Sequence, residues 1–283
     1  MTSLVVAAVL AAAIVHASWN ALLHTIGDRL AAMTLITGGS AAMGVVLAFF
    51  VPFPPPAALP YLLASAVLHI GYQWLLTKSF SLGDFGQMYP VARGTAPLVV
   101  SAVAALFIGE SLNGPQFAGV AVVSLGLAGV ALWGLRGTGT RPDWPALGAA
   151  GATGLAIAAY TVVDGLGVRE SGSPLGFLAW LLILQGVPIA GYAWYRLRSG
   201  LLPALRPYAA RGLVGAAMAV AGYGLVLWAQ TRAPLAPVAA LRESSIVVGA
   251  VIGALFFGER FGVPRVAAAG VMAVGIGLLL GAG

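Results

Sequence analysis

Long apolar runs separated by short polar breaks follow one another along the chain. Each run has about 20 residues, the length that an α-helix needs to cross the hydrocarbon core of a bilayer. The pattern predicts ten membrane-spanning helices, at residues 3–24, 30–51, 57–80, 85–108, 115–135, 146–168, 174–195, 208–231, 234–257 and 263–281. The predicted fold class is therefore an all-α polytopic membrane protein.

The polar breaks contain residues that end helices, such as the proline-rich segment 52–56 and the Asn113-Gly114-Pro115 turn. Proline lacks a backbone N–H and glycine lacks a side chain, so both interrupt regular structure. All of the breaks are short, and we expect no soluble domain between the helices. The longest polar break, near residues 136–145, lies at the middle of the chain.

The two sides of that midpoint resemble each other in sequence. Arg93 aligns with Arg242 at an offset of 149 residues, which is 242 − 93. In the same frame, the Phe-x-Gly-Glu segment at 107–110 aligns with its counterpart at 256–259. This match predicts a duplicated unit of five helices.

We assign the two repeats to residues 1–138 and 143–283. A unit with an odd number of spans places its second copy upside down, so the prediction is a 5+5 inverted repeat. The basic residues in the breaks after the odd-numbered helices, or at the helix ends beside those breaks, are Arg29, Lys78, Arg136, Arg141, Arg196, Arg198, Arg206, Arg211, Arg260 and Arg265. The opposite loops contain only Arg169 and Arg232. Because cytoplasmic loops are rich in Lys and Arg, we predict a multi-pass protein of the inner or plasma membrane with both termini outside.

The composition agrees with a membrane environment. Hydrophobic residues make up 60% of the chain and charged residues 8%, whereas a soluble domain has about 25% charged residues. The net charge of +6 comes from basic residues dispersed singly between apolar runs, so we expect no binding to nucleic acid. The expected partners are membrane lipid and a small-molecule substrate, with the protein a monomer or a homodimer.

Signatures of enzymes do not occur in the sequence. There is no H-E-x-x-H segment, no phosphate-binding loop, no G-x-S-x-G segment and no carboxylate-rich metal site. The chain has no cysteine, which excludes disulfides and thiol chemistry. We therefore predict a protein that is not an enzyme and that needs no cofactor or metal.

Two arginines lie inside predicted helices, Arg93 in the fourth and Arg242 in the ninth. Ionisable groups inside a membrane are costly, which makes each a functional hypothesis. A guanidinium group binds carboxylate or phosphate through two parallel hydrogen bonds, so both arginines are candidates for binding an anionic substrate. The alternative is that each arginine joins helices through a carboxylate, with Glu243 and Asp164 as candidate partners.

Polar and aromatic residues recur at helical spacing near the middle of several predicted helices. Together with the two arginines, the candidate substrate-binding residues are His16, Trp19, Asn20, Tyr72, Gln73, Tyr89, Tyr160 and Tyr223. The alternative is that these side chains bond helix to helix. Histidine titrates near neutral pH, and buried carboxylates also take up protons, so the candidates for ion or proton coupling are His16, His69, Asp164 and Glu243.

Three segments resemble a known family. They are Ala17-Ser18-Trp19-Asn20, Gly83-Asp84 followed by Tyr89-Pro90-Val91-Ala92-Arg93-Gly94, and the paired Gly109-Glu110 and Gly258-Glu259. On these residues the chain resembles an EamA-domain member of the drug/metabolite transporter superfamily over its whole length. The second of these segments is also similar to a subgroup linked with phosphonate utilisation.

The resemblance implies a ten-helix carrier of two inverted five-helix repeats, with a central cavity and alternating access. It implies export of amino acids or other small metabolites, and it carries a binding role over to Arg93. The second half keeps Arg242 but has Val238 at the position that corresponds to Tyr89. Other hypotheses remain open: a carrier of a cationic or lipid-linked substrate, a channel, and a membrane-integral enzyme.

Overall fold

The computed structural model describes residues 1–82, 85–110, 112–137, 144–257 and 263–281. Every long element in these ranges is a helix, and no β-strand occurs in them. The prediction of an all-α fold is therefore confirmed for the described residues. Some side chains within the helices, including that of Tyr89, lie outside the described part.

The first half of the chain contains helices α1 to α6. Their bounds are Ser3–His24 (α1), Arg29–Met33 (α2), Gly39–Ala48 (α3), Leu59–Leu82 (α4), Phe85–Val103 (α5) and Gly114–Gly137 (α6). A π-helical turn at Thr34–Gly38 joins α2 to α3, and another at Ala104–Ile108 extends α5. A 3₁₀ turn at Pro56–Ala58 leads into α4.

The second half contains helices α7 to α13. Their bounds are Trp144–Ser171 (α7), Pro174–Leu197 (α8), Leu201–Leu205 (α9), Ala209–Gln230 (α10), Leu235–Arg242 (α11), Ser244–Phe257 (α12) and Val263–Gly281 (α13). Two 3₁₀ turns, Arg198–Gly200 and Arg206–Tyr208, flank the short α9.

Polar side chains define several helix ends. Asp28 accepts hydrogen bonds from the backbone N–H groups of Leu30 and Ala31, at 2.9 and 3.0 Å, and so caps the start of α2. Ser173 caps α8 in the same way through the N–H of Gly176, at 3.1 Å. After the π turn that extends α5, Gly109 adopts a left-handed conformation with φ of 75°, which lets the chain leave the helix.

The predicted ninth helix, at 234–257, is interrupted in the structure. Helix α11 ends at Arg242, Glu243 lies between helices, and α12 begins at Ser244. The N–H of Glu243 bonds to the carbonyl of Ala240, three residues earlier, which tightens the chain at this point. The prediction of one continuous helix is therefore wrong here, because the apolar pattern does not reveal where a backbone turn tightens.

Long helices pack in pairs. Helix α1 packs against α10, α4 against α7, α5 against α7, α1 against α12, α3 against α8, and α6 against α13. Small residues make the close crossings possible. In the α6–α13 pair, Gly119 and Gly275 face each other, and a Cβ atom on either would lie within 2.9 Å of the other's carbonyl oxygen.

The surface is apolar and the interior contains charged groups. Large apolar side chains such as Phe49, Leu106 and Phe256 are 76–82% exposed, whereas Arg93 and Asp164 are at most 3% exposed. Six helical stretches of the described chain are long and apolar enough to cross a membrane: Ser3–Leu23, Leu30–Ala48, Pro56–Leu76, Val91–Ile108, Trp144–Ser171 and Pro174–Gln230. These features are those of a polytopic membrane protein.

Candidate functional site

Arg93 joins α5 to the break between α11 and α12. Its Nε donates a hydrogen bond to Oε2 of Glu243 at 2.8 Å, and its Nη2 donates one to Oγ of Ser245 at 3.2 Å. Arg93 and Glu243 are each 3% exposed. The structure thus places the intramembrane arginine in a buried ion pair with one of the two carboxylates that the sequence offers as partners.

Gly154 on α7 allows α5 to approach at the turn that carries Arg93. A Cβ atom at Gly154 would lie 2.6 Å from the carbonyl oxygen of Ala92 and 2.9 Å from Cβ of Thr95. The first of these contacts is with backbone, which cannot rotate away. The absence of a side chain at this position therefore helps to fix the position of Arg93 relative to α7.

Arg242 has a different environment from Arg93. It is half-buried at the end of α11, and its Cζ lies 5.7 Å from the centroid of the Tyr223 ring. A guanidinium group over a ring face gains a cation–π attraction. Among the described carboxylates, none forms an ion pair with Arg242, whereas Glu243 pairs with Arg93.

Asp164 is the centre of a second buried cluster, which joins α4, α7 and α10. Its Oδ1 accepts a hydrogen bond from the hydroxyl of Ser65, and its Oδ2 accepts one from the hydroxyl of Tyr223. The Nε2 of His69 lies 3.9 Å from Oδ2 of Asp164. The fully buried carboxylate is therefore held by groups from two neighbouring helices.

Aromatic rings surround this cluster. The rings of His69 and Tyr160 stack with a centroid distance of 4.2 Å, and Tyr72 meets Tyr160 edge-on at 5.5 Å. Tyr223 meets His69 edge-on at 5.7 Å. Arg242 lies over Tyr223, whose hydroxyl donates to Asp164, so this phenol connects the second arginine to the Asp164 cluster.

Helix α1 contributes three of the candidate residues. His16 and Trp19 are half-buried, and their rings meet edge-on at 5.2 Å. His16 lies within electrostatic range of both Arg93 and Arg242. Asn20 is exposed, and its Nδ2 donates to the carbonyl of His16 at 2.7 Å, so it bonds within its own helix.

Two candidate substrate-binding residues remain, Gln73 and Tyr89. Gln73 is half-buried on α4, and the side chain of Tyr89 lies outside the described part. Sequence reasoning did not single out Ser65 or Ser245, which bond to Asp164 and Arg93. A serine at helical spacing from each candidate, such as Ser65 one turn before His69, is the only signal that indicates them.

A third polar cluster is formed around the ion pair of Arg169 and Glu110. Arg169, at the end of α7, donates from Nη1 to Oε1 of Glu110 at 2.7 Å. It also donates from Nε to the carbonyl of Gln230 at 2.8 Å and from Nη2 to the carbonyl of Ala233 at 3.0 Å. The other oxygen of Glu110 accepts the N–H of Leu235 at 2.7 Å. Through these contacts, Glu110, which follows the π turn after α5, is bonded to α7 and to the start of α11, and α7 is bonded to the end of α10.

In chemical terms, the interior offers paired charges, hydroxyl groups and ring faces. Among the described residues, no three His, Cys, Asp or Glu side chains come together as a metal site. Groups of these kinds are chemically able to bind polar molecules or to exchange protons, and here they come from helices in both halves of the chain.

Comparison with known proteins finds a family match in the second half of the chain. Residues 144–281 match the EamA-like transporter family. No curated protein matches the chain. A solved structure described only as the crystal structure of a protein superimposes with a TM-score of 0.71, at 17% identity and covering 99% of both chains, which shows a shared fold. Residues 144–281 are thus similar to an EamA-like transporter domain, and this similarity supports a membrane transporter of the drug/metabolite type.

Proposed function

We propose that this protein is a secondary transporter that exports a small polar metabolite, such as an amino acid or an organic anion, across the cell membrane. It works by alternating access to a central cavity and not as an enzyme. The observation that carries the proposal is the buried pair of Arg93 and Glu243, which joins α5 to the break between α11 and α12. Charged groups at a broken helix inside an apolar shell are typical of transport sites.

The packing of helices supports two inverted five-helix halves. Under the predicted repeat, α1 corresponds to α7 and α4 to α10, and the pair α1–α10 then corresponds to the pair α7–α4. In the same way, the contact of α5 with α7 corresponds to that of α12 with α1. Such exchanged pairs are expected when two similar units face each other.

The lengths of the apolar stretches support more than six crossings. The stretch Pro174–Gln230 has 57 residues and contains both α8 and α10. Its residues, if continuously helical, would span about 85 Å at 1.5 Å per residue, far more than the roughly 30 Å of a hydrocarbon core. We propose that α8 and α10 each cross the membrane, within a total of ten crossings.

We propose that the substrate lies between Arg93 and Arg242. Arg242 is the better placed to receive a negative group, because it makes no ion pair with a described carboxylate. The proposed lining residues are His16, Trp19, Asn20, Tyr72, Gln73, Tyr89, Tyr160 and Tyr223. Proton coupling is proposed at His16, His69, Asp164 or Glu243.

The proposed orientation, with both termini outside, is supported by the environment of the two basic residues in the opposite loops. Arg169 pairs with Glu110, and Cζ of Arg232 lies 4.8 Å from the Trp228 ring centroid. Both charges are thus engaged by the protein itself. Arg196, in the last turn of α8, and Arg198, whose Cζ lies 5.4 Å from the Tyr195 ring centroid, are exposed at a helix end that the positive-inside rule assigns to the cytoplasm.

The first test is thermal stabilisation of the purified protein by a library of small metabolites at neutral pH. A ligand that binds the folded state alone raises the apparent stability. The library includes amino acids, carboxylates, phosphonates and amines, with phosphonates chosen because of the resemblance to the phosphonate-linked subgroup. We expect stabilisation by anions or zwitterions that is lost in Arg242→Ala and reduced in Arg93→Ala.

The matched control is Arg196→Ala, which removes the same charge from an exposed position. This variant should bind like the wild type. The same compounds, loaded into vesicles containing the protein, should leave faster than from empty vesicles. A compound that is converted without crossing the membrane would instead indicate an enzyme, and would contradict the proposal.

A carrier of cations is the second candidate, and the surroundings of Asp164 favour it. This carboxylate lies among the rings of His69, Tyr160 and Tyr223, and ring faces attract cations. Stabilisation by amines that survives Arg242→Ala but not Asp164→Asn would establish this candidate. The arginines would then serve to join helices.

A further inference from the structure

The charged groups buried between the two halves balance one another. Among the described residues, Arg93, Asp164 and Glu243 are buried and Arg242 is half-buried beside Tyr223, which gives two arginines and two carboxylates; the half-buried pair of Arg169 and Glu110 adds no net charge. With both carboxylates ionised, these four charges sum to zero. A monoanion that entered this interior alone would therefore add an uncompensated charge to an environment of low dielectric constant, which is unfavourable.

Glu243 already occupies the position that a substrate anion needs at Arg93. Its Oε2 accepts the Nε–H of Arg93 at 2.8 Å, and Oγ of Ser245 accepts from Nη2 at 3.2 Å. A carboxylate or sulfonate that bonds to Arg93 through Nε must replace this carboxylate group. Glu243 is thus an internal counter-anion at the proposed site.

The backbone at Glu243 is suited to such a movement. The residue lies between α11 and α12, at the one position where the described helix 235–257 is interrupted. A break of this kind allows a side chain to move without unwinding a turn of helix. Asp164, in contrast, lies within α7 and accepts hydroxyl groups from Ser65 and Tyr223.

We propose, on the basis of the transport function above, that an anionic substrate and a proton are loaded together, and that the proton neutralises Glu243. The proton comes from the water on the side to which the site is open and binds to the Glu243 carboxylate. The hydrogen bond from Arg93 Nε to Glu243 breaks, and the substrate anion accepts that N–H. When the site opens to the other side of the membrane, the anion leaves and Glu243 releases its proton to water. The ion pair of Arg93 and Glu243 then forms again.

This step conserves charge, because one proton accompanies each monoanion. The other titratable, charged or hydrogen-bonding groups around the site are Arg93 on α5, Arg242 on α11, Ser245 on α12, His16 on α1, Tyr223 on α10, His69 on α4, and Tyr160 and Asp164 on α7. Asp164 and the two histidines are the alternative proton acceptors, and the experiment tests them separately.

The probe is methanesulfonate, a small monoanion that stays ionised throughout the pH range of the experiment. Its affinity for the purified wild-type protein is measured by thermal stabilisation from pH 5 to pH 8. If one proton is taken up with each anion, the affinity falls about tenfold for each unit of rising pH, above the pH at which Glu243 ionises. Any pH dependence comes from the protein.

Glu243→Gln should bind methanesulfonate equally well at every pH, with the affinity that the wild type reaches at low pH. Glu170→Gln is the matched control, because Glu170 is exposed at the end of α7, and it should keep the wild-type pH dependence. Glu243→Asp keeps a titrating group and should also keep the dependence. It provides a second test if the glutamine variant does not fold, because the pH at which the dependence begins should shift with the shorter side chain, and an unshifted profile would overturn the role of Glu243.

The outcomes separate this inference from the transport proposal. Binding of methanesulfonate that is independent of pH in the wild type, or a pH dependence that is lost in Asp164→Asn, His16→Gln or His69→Gln but kept in Glu243→Gln, overturns the role of Glu243 and leaves the anion site standing. If methanesulfonate and every other anion in the library fail to bind, the proposed anion transport fails, and the inference fails with it.

Discussion

Nε of Arg93 lies 2.8 Å from Oε2 of Glu243, although 150 positions in the chain separate the two residues. One residue belongs to α5 and the other to the break between α11 and α12, so the bond joins the two halves of the chain. The sequence offers Glu243 both as a partner for an arginine and as a coupling group. The geometry makes these two roles compatible, because a proton on Glu243 would release Arg93.

Removal of one member of this pair should destabilise the protein strongly. Arg93→Met leaves the Glu243 carboxylate buried without its cation, and we expect a loss of about 3 to 5 kcal/mol in the free energy of unfolding. The double variant Arg93→Met/Glu243→Met removes both charges and should regain most of that loss. Unfolding in detergent micelles measures both. A double variant no more stable than Arg93→Met would contradict the pairing.

The close approach of α7 to α5 gives a second prediction. In Gly154→Ala, the new Cβ would lie 2.6 Å from the carbonyl oxygen of Ala92, so a helix must shift. We expect a loss of about 1 to 3 kcal/mol in stability, together with weaker binding of any Arg93-dependent ligand. Gly151→Ala on the same helix is the control, because nothing lies within 4 Å of its Cβ position. Equal effects of the two substitutions would refute the explanation.

The hydroxyl of Tyr223 provides a third test. Tyr223→Phe removes one of the donors to the buried Asp164 but keeps the ring beneath Arg242. The loss of a hydrogen-bond donor to a buried carboxylate lowers the free energy of unfolding by about 1 to 3 kcal/mol, and thermal unfolding measures this loss. Tyr192→Phe is the control, because Tyr192 is 56% exposed, and it should unfold like the wild type.

The cluster of Arg169 and Glu110 should control access to the start of α11. In Arg169→Met, the carbonyl groups of Gln230 and Ala233 lose their donor, and Glu110 loses its cation. We expect a cysteine placed at the buried Ala233 to react several times faster with a membrane-impermeant maleimide in this background. Since the chain has no cysteine of its own, the introduced thiol is the only one that reacts.

Arg232→Met serves as the control for this experiment, because Arg232 is the neighbouring basic residue and contacts the Trp228 ring instead. It should leave the reaction at position 233 unchanged. In protein purified in detergent micelles, where the reagent reaches both ends of the protein, a cysteine at the exposed Leu202 should react at the same rate in all backgrounds. If the rate at position 233 does not change in Arg169→Met, the cluster has no role in closing this end of the protein.

The sequence predicts where helices form more accurately than what their side chains contact. The first segment, predicted at 3–24, is Ser3–His24, and the last, predicted at 263–281, is Val263–Gly281. Such boundaries follow from local properties, which are the apolar run and the capping or proline residues at its ends. The interruption at Glu243 was not predicted, because the polar run from Arg242 to Ser245 lies between two apolar segments that together have the length of one membrane span.

For the candidate site, too, the sequence predicts the residues better than it predicts their contacts. Intramembrane charge alone singled out Arg93, Arg242, Asp164 and Glu243. The sequence could not tell which carboxylate pairs with Arg93, because Asp164 and Glu243 are both plausible partners at a distance along the chain. It also gave no reason to choose Ser65 or Ser245, since serine is common in membrane helices.

The sequence by itself determined that this protein is helical and resides in a membrane, because apolar run length and backbone hydrogen bonding within a helix depend on neighbouring residues only. The tertiary structure decided that Arg93 pairs with Glu243 while Arg242 lies over Tyr223. These contacts join residues far apart in the chain. They depend on how α5, α10 and the α11–α12 break are brought together, and small residues such as Gly154 set that geometry.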